Sequence, residues 1–298
     1  MINFPTSLFQ YLSSIDKVVV VDDYFLLSDG NHQYLLKKKD FFTEKIMNYF
    51  SSISFPYYCP ILNSYQDEYE LYLYSDESVD DLNRKGQEMI QAILYLQKNS
   101  IEEVEVSEDH FLQFYNQQLK RIDSMMNYYL HLQDTMEEMD YLSSDYYLFI
   151  THISLFYECL HMARKKLEEW FSTKIYKMRV SYLIGDLSFS NFHYGKQRYF
   201  IHFNDLNKNF FLNDFIRFYR SNSSSISMEE ILTKYQEEMD IQPHEASLMY
   251  YYLFMPLQIE FSNSIYHNTI QIRREIIYLE NIKVFYSEKN EKNEETNE

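Results

Sequence analysis

The chain has 298 residues, of which 46% are hydrophobic, so it can bury one large or two small cores and is not a disordered protein. Its 30 Tyr and 23 Phe stand against only 4 Gly, which argues against glycine-rich phosphate-binding loops. The 27 basic and 45 acidic side chains give a net charge of -18, which repels phosphate backbones. We therefore expect no nucleic-acid partner.

The cysteines and the apolar runs indicate the compartment. Cys59 and Cys159 lie far apart and form no CxxC pattern, as is typical of a protein in a reducing interior. The first residues lack the basic head and apolar run of a signal peptide. No segment reaches the roughly 20 apolar residues that cross a bilayer. The sequence thus predicts a cytoplasmic protein that does not bind a membrane.

The first 75 residues predict a small sheet that carries one helix. Two apolar runs flank the turn signal Asp29-Gly30 in "KVVVVDDYFLLSDGNHQYLLKKKD", which predicts a β-hairpin. Apolar residues at helical spacing follow in "DFFTEKIMNYFSSI". Two further strands are predicted in "YYCPILNSYQDEYELYLY". We interpret residues 1–75 as a first domain.

The remainder predicts a helical domain. The polar, acidic stretch "SDESVDDLNRKG" marks the boundary, and residues 76–286 carry apolar residues at three- and four-residue spacing over many turns. We expect Pro256 to bend or end the helix that contains "LMYYYLFMPL". Residues 287–298 are charged and lack apolar anchors, so we expect a disordered acidic tail.

One stretch, "YLIGDLSFSNFHYGKQRYFIHFND" at residues 182–205, combines polar residues with two short apolar strands. Asp186 follows a glycine, and Asn191 follows five residues later. If the hairpin turns at Lys196-Gln197, Asn191 lies opposite His202 and their side chains share one face.

This motif and the order of the two domains resemble the aminoglycoside phosphotransferase and choline kinase-like branch of the protein-kinase fold, with its bacterial spore-coat relatives. The resemblance implies an α+β, two-lobed, protein-kinase-like fold, with a small antiparallel sheet plus helix as N-lobe and a large, mainly helical C-lobe. The family's catalytic loop reads His-Gly-Asp, four residues, then Asn, and here Ile184 replaces the His. The resemblance implies that Asp186 takes the proton of the acceptor hydroxyl and that Asn191 holds magnesium.

The next strand departs from the family. Family members read Ile-Asp-Phe there, and the Asp bridges magnesium to the nucleotide phosphates, whereas this chain has His202 at that position. Imidazole is a poor ligand for a hard, oxygen-seeking ion. Asp205 is the candidate substitute for the missing metal ligand. Asp214 matches a buried Asp that braces the catalytic loop in the family.

In the first domain, the resemblance makes Lys37 the match to the lysine that binds nucleotide phosphates, with Glu44 as its ion-pair partner. Three consecutive lysines leave the register open, because strand alternation points Lys37 and Lys39 to one face and Lys38 to the other. An exposed lysine and a solvated glutamate are the ordinary alternative for this pair.

We interpret the chain as a degenerate phosphotransferase-like protein, a pseudokinase that acts as a binding or structural module. The alternative is an active ATP-dependent small-molecule phosphotransferase with Asp186 as base and Asp205 as metal ligand. ATP and magnesium are the cofactors if the protein is active, and none is expected otherwise. The partner is a small molecule or a protein. A zinc site at His193 and His202, or a helical interaction protein of another fold, are further alternatives.

Overall fold

The computed structural model describes residues 15–21, 24–30, 32–38, 43–58, 61–65, 69–74, 81–195, 198–201, 203 and 207–295. The chain divides into two compact units, the first of residues 1–99 and 182–207, the second of residues 100–181 and 208–298. The predicted domain boundary after residue 75 falls in the segment 75–80, outside the described residues.

The first unit contains a five-stranded antiparallel sheet in the order β1-β2-β3-β5-β4. Its strands are β1 Lys17–Val21, β2 Tyr24–Ser28, β3 Gln33–Lys38, β4 Ile61–Tyr65 and β5 Tyr69–Tyr74. The apolar run before Asp29-Gly30 thus forms two strands, β1 and β2. The predicted hairpin is the one that joins β2 to β3. Gly30 has φ +84° there, and a Cβ would lie 2.8 Å from Asp16 Oδ2, so the turn requires glycine.

Two helices complete the sheet unit, α1 Thr43–Ser52 and α2 Leu82–Ser100. Phe50 at the end of α1 and Phe55 after it are both buried, with ring centroids 4.6 Å apart. The hydroxyl of Tyr95 on α2 donates to the backbone oxygen of Ile53 at 2.9 Å, which joins α2 to the end of α1. The ring centroids of Phe55 and Tyr95 lie 5.9 Å apart, so an aromatic contact also joins α2 to the segment after α1.

The second unit is mainly helical, as predicted. Its helices are α3 Glu108–Glu137, α4 Ser144–Ser172, α5 Leu212–Asn222, α6 Glu229–Glu238, α7 Pro243–Phe254 and α8 Ile265–Glu295. Helix α4 packs against α3, α7 and α8, because its apolar residues recur at helical spacing on more than one face. The core is rich in buried rings, which explains the high aromatic content of the chain.

A three-stranded sheet, in the order β10-β7-β6, lies in the second unit. Its strands are β6 Glu102–Glu105, β7 Lys177–Tyr182 and β10 Lys208–Phe210. The sequence did not predict β6, since "EEVE" is exposed and lacks an apolar alternation. Exposed ion pairs join Lys177 to Glu103 and Lys208 to Glu102 across this sheet. Such pairs add little stability but favour this register.

The end of the helical unit differs in part from its prediction. Helix α7 ends at Phe254, before Pro256, as predicted. Helix α8 runs to Glu295, into the segment for which the sequence predicts disorder, and Glu and Lys are strong helix formers. In the described part of the chain, no helix is long and apolar enough to cross a membrane.

Candidate active site

The loop that carries the candidate catalytic residues follows β7 and ends in a one-turn 3-10 helix, Phe189–Asn191. Leu183, Ile184 and Leu187 are buried, and they anchor the loop to the core. Gly185 has φ +94°, a conformation that favours glycine. Ile184, at the position of the family's His, is therefore an apolar anchor beside the turn that presents Asp186.

Hydrogen bonds fix the backbone of this loop. The Nδ2 atom of Asn191 donates to the backbone oxygen of Asp186 at 2.7 Å, and Asn191 is 3% exposed. The backbone N–H of Ser188 donates to Asp186 Oδ1 at 3.0 Å. The Oδ2 atom of Asp186, which is partly exposed, accepts no hydrogen bond from any residue that the structure describes. The loop thus presents one carboxylate oxygen for an interaction beyond the described chain.

The hairpin after the loop consists of β8 Phe192–Tyr194 and β9 Arg198–Phe200. Phe192 pairs with Phe200, and the N–H of Ile201 donates to the backbone oxygen of Asn191 at 2.9 Å. The predicted register, with Asn191 opposite His202, was therefore wrong by one residue. The cause is a connection of residues 195–197 instead of a two-residue turn, which apolar alternation alone does not distinguish.

Two predicted site residues, His202 and Asp205, lie outside the described residues. The neighbours of His202 are described. Ile201 contacts the cluster of Leu35, Tyr72 and Tyr199. The ring of Phe203 lies 4.7 Å from that of Phe50 on α1, in an edge-on arrangement. Position 202 is therefore flanked by two residues that are packed in the first unit.

Lys37 lies on the sheet face that carries this cluster. On β3 it is two residues from Leu35, and it pairs with Glu70 on β5. Residues that face each other across an antiparallel pair share one face, so Lys37 lies on the face against which Tyr199 of β9 packs. Lys38 pairs with Tyr69, is exposed and lies on the opposite face, while Lys39 lies outside the described residues.

Glu70 is a buried acid that the sequence did not reveal as a site residue. It is 2% exposed, and the hydroxyl of Tyr72 donates to its Oε2 at 2.7 Å. The predicted partner of Lys37, Glu44, lies in α1, but its side chain is outside the described part. The sequence did not indicate that Glu70 lies beside Lys37, because this follows from the pairing of β3 with β5. A helix and a strand separate these two strands in the sequence.

Helix α2 contributes two charged residues beside the loop and hairpin. Lys85 Nζ lies 5.9 Å from the ring centroid of Phe189, and burial lowers the pKa of Lys85. Glu88 accepts a hydrogen bond from Arg198 of β9 at 2.5 Å. The first contact joins α2 to the loop, and the second joins α2 to the hairpin.

His193, a candidate zinc ligand, is a packed residue of β8. It is 6% exposed, and its ring centroid lies 4.7 Å from that of Tyr74 and 4.8 Å from that of Tyr199. Over the described residues, no group of three or more His, Cys, Asp or Glu side chains is placed to hold a metal ion. Packing between two rings accounts for the burial of His193.

Asp214, the candidate bracing residue, belongs to the second unit. It lies in the first turn of α5 and is fully buried. A carboxylate in the first turn of a helix interacts favourably with the helix dipole. Its predicted role toward the catalytic loop stays a prediction.

Comparison with solved structures identifies the fold. No family model and no curated protein matches the sequence. The crystal structure of an aminoglycoside phosphotransferase from Alicyclobacillus acidocaldarius subsp. acidocaldarius DSM 446 matches with a TM-score of 0.70, covering 99% of this chain and 98% of that one. The chain has the aminoglycoside phosphotransferase fold. The sequence identity is 9%, so the likeness concerns the fold.

Two further solved structures match the phosphotransferase fold of this chain less closely. Choline kinase LicA from Streptococcus pneumoniae has a TM-score of 0.44 at 11% identity, covering 93% of this chain and 97% of that one. The spectinomycin phosphotransferase APH(9)-Ia has a TM-score of 0.43 at 10% identity, covering 91% and 99%. The Alicyclobacillus structure, with its TM-score of 0.70, confirms the predicted α+β, kinase-like fold, and the likeness to spore-coat relatives stays a prediction.

Proposed function

We propose that this chain is a degenerate phosphotransferase that acts as a binding or structural module and has lost most or all metal-dependent phosphoryl transfer. One observation carries the proposal. Ile201 donates its N–H to the backbone oxygen of Asn191, and the next residue in the chain is a histidine. The resemblance to phosphotransferases puts the principal metal-binding Asp at that position.

The donor atoms available there do not fit magnesium. Asn191 offers one amide oxygen, and His202 offers an imidazole nitrogen in place of a carboxylate. Magnesium prefers oxygen ligands in octahedral geometry, and a protonated imidazole repels any cation. Phosphoryl transfer depends on neutralising the charge of the phosphates, so loss of that carboxylate removes a main contribution to catalysis.

The parts of the site that remain suit binding. The loop backbone is fixed by the Asn191 amide, and Asp186 keeps one oxygen without a partner in the described chain. A partly exposed carboxylate accepts hydrogen bonds from a hydroxyl or an ammonium group. The partner in this proposal is therefore a small molecule or protein group that donates hydrogen bonds to Asp186.

The second candidate is an active, ATP-dependent small-molecule phosphotransferase. The kept geometry of Asp186 and Asn191 and the position of Lys37 favour it, because these residues match the family's base, second metal ligand and phosphate-binding lysine. In this candidate Asp205 supplies the carboxylate that His202 lacks. ATP and magnesium are then the cofactors.

A phosphorylation assay tests the proposed loss of activity. The purified protein is incubated with ATP, magnesium and a panel of small alcohols and amines, and ADP release and phosphorylated product are measured. We expect no product above the level of the Asp186→Asn variant. Phosphorylation that Asp186→Asn abolishes contradicts the proposal. If Asp205→Ala abolishes it as well, the second candidate is correct.

A further inference from the structure

The helical unit contains a cavity of about 320 Å³ that the proposed phosphotransferase site does not use. Every described residue that lines it belongs to the second unit, and none comes from residues 182–207. Its apolar wall consists of side chains from α3, α4, α7 and the end of β10: Phe111, Phe114, Trp170, Phe210, Leu248 and Tyr252. The volume falls within the range of about 300–1,000 Å³ that small-molecule sites occupy.

The aromatic wall is fixed by ring contacts. The ring centroid of Trp170 lies 4.3 Å from that of Phe111 and 5.3 Å from that of Phe114. Phe111 also stacks on Phe171, with centroids 5.4 Å apart. Phe111 is 4% exposed and Trp170 is 8% exposed. The wall is therefore a preformed apolar surface that loses little freedom when a ligand binds.

The charged side chains at the cavity are already paired. Among the described lining residues, Glu245 is the one acid. It is buried, and Arg179 donates hydrogen bonds to both of its oxygens, through Nε to Oε1 at 2.7 Å and through Nη2 to Oε2. Lys177, which also lines the cavity, donates a hydrogen bond to Glu103 at 2.6 Å. A charged ligand would therefore be buried without a free opposite charge from a Lys, Arg, Asp or Glu of the described lining, which is unfavourable.

His244 provides a polar group that is open to a ligand. It lies in the first turn of α7, is half-buried and lines the cavity, and its imidazole makes no hydrogen bond to any residue that the structure describes. Burial lowers the pKa of His244, so the imidazole is neutral at neutral pH. A neutral imidazole offers one N–H donor and one nitrogen acceptor. By contrast, the Oδ1 atom of Asn209 already accepts hydrogen bonds from the N–H of Phe210 at 2.7 Å and from Nδ2 of Asn213 at 3.3 Å.

We propose that this cavity binds a small, neutral, aromatic molecule, with its ring against the aromatic wall and a hydroxyl or N–H group hydrogen-bonded to His244. An apolar cavity of about 150 Å³ is enough to bind benzene, so the volume here accommodates a substituted ring. Burial of the ring against the wall supplies most of the binding free energy. The hydrogen bond to His244 orients the ligand and favours it over a plain hydrocarbon. This site is independent of the proposed loss of phosphoryl transfer.

Trp170 makes the proposal directly testable, because it is the one Trp in the chain and lines the cavity. The full chain is titrated with 4-propylphenol, propylbenzene and 4-propylbenzoate while tryptophan emission is recorded. We expect a saturable change with the phenol, about fivefold weaker binding of propylbenzene, which lacks the hydrogen bond, and at least about fiftyfold weaker binding of the charged benzoate. No saturable change with the phenol, equal affinity for propylbenzene, or benzoate binding as tight as that of the phenol each overturns the proposal.

A substitution at His244 tests the polar contact. We expect His244→Leu to bind 4-propylphenol about fivefold more weakly, at the level of propylbenzene, with propylbenzene binding unchanged. His267→Leu is the matched control, because His267 lies in the first turn of another helix, α8, is exposed and does not line the cavity. This control is expected to keep the preference of the natural protein for the phenol. A preference that survives in His244→Leu, or that both changes remove, overturns the proposal.

Val106→Phe fills part of the cavity and is expected to weaken binding of both 4-propylphenol and propylbenzene. Thermal unfolding of this variant shows whether it is folded. Undiminished binding of 4-propylphenol by the folded variant places the ligand elsewhere and overturns the proposal. If Val106→Phe does not fold, the comparison of His244→Leu with His267→Leu decides alone.

Discussion

Among the described residues, Glu275 and Glu245 in the helical unit have both carboxylate oxygens hydrogen-bonded, whereas Asp186 in the loop after β7 does not. In the helical unit, Glu275 is 5% exposed and accepts hydrogen bonds from the guanidinium of Arg220 and the N–H of Leu257. Glu245 is likewise buried and held by Arg179. In the candidate catalytic loop, Asp186 is partly exposed and accepts one backbone hydrogen bond from the described residues.

This difference separates residues that hold the fold from residues that are available to a ligand. A buried charge must be paired, so the saturated carboxylates of the helical unit are structural and costly to disturb. The side chain of Asp186 accepts one hydrogen bond from the loop, and the side chain of Asn191 fixes the loop backbone at Asp186. We therefore expect substitutions at the saturated carboxylates of the helical unit to lower the free energy of unfolding more than substitutions in the candidate catalytic loop.

The largest effect is expected for Arg220→Met. This substitution removes the partner of buried Glu275 and the hydrogen bond from Arg220 to the backbone oxygen of Met255. We expect a loss of about 3–5 kcal/mol in the free energy of unfolding, because an unpaired charge remains in the core. Urea denaturation measures it. Arg273→Met, at an exposed position near Glu275 on the same helix, is the control and is expected to change stability by no more than about 0.5 kcal/mol.

A second, smaller effect is expected for Asn268→Leu, which removes a partner of buried Asp145. Burial raises the pKa of Asp145, but hydrogen bonds from Ser143 and Asn268 outweigh it and hold the pKa below its usual value. We expect the free energy of unfolding to fall by about 2–3 kcal/mol at neutral pH.

The pH dependence of this variant follows from the sign of the pKa shift. A depressed folded-state pKa stabilises the protein above the unfolded-state value of about 4, and this stability is lost as the pH falls through the folded-state pKa. We therefore expect the difference between Asn268→Leu and the natural protein to shrink on acidification below about pH 4. Urea denaturation at several pH values measures it, and a difference that grows in acid contradicts this account.

Asn191→Ala is expected to loosen the candidate catalytic loop more than it lowers the stability of the whole molecule. The variant loses the hydrogen bond from Nδ2 to the backbone oxygen of Asp186, for an expected cost of about 1–2 kcal/mol. Amide hydrogen exchange should increase in residues 185–191 and stay unchanged in α4 and α7. Uniform exchange increases in both units would show that Asn191 supports the whole fold instead.

The smallest effect on stability is expected for Asp186→Asn. An Asn side chain keeps an oxygen that can accept the hydrogen bond from the N–H of Ser188, and the position is partly exposed. We expect a change within about 0.5 kcal/mol in the free energy of unfolding. A loss comparable to that of Arg220→Met would place Asp186 among the structural carboxylates and remove its contrast with Glu275 and Glu245.

Local patterns in the sequence predicted much of this architecture. The helical spacing of apolar residues located α3 and α4, and the Asp29-Gly30 signal located the β2–β3 turn. The motif around Asp186 and the order of the two domains resemble those of the kinase-like family, and this resemblance predicted the fold.

Features that depend on tertiary pairing were not predictable in this way. Glu70 came beside Lys37 only through the pairing of β3 with β5. The register of the β8–β9 hairpin depends on the length of its connection, which alternation does not encode.

The central claim, that His202 occupies a lost metal position, is tested most directly by thermal unfolding with ATP, with and without magnesium. The natural protein is compared with His202→Asp, which restores the carboxylate that the resemblance implies. We predict no magnesium-dependent rise in Tm for the natural protein and a rise of about 5 °C for the variant at saturating ATP. A magnesium-dependent rise in the natural protein that Asp205→Ala removes would contradict the claim.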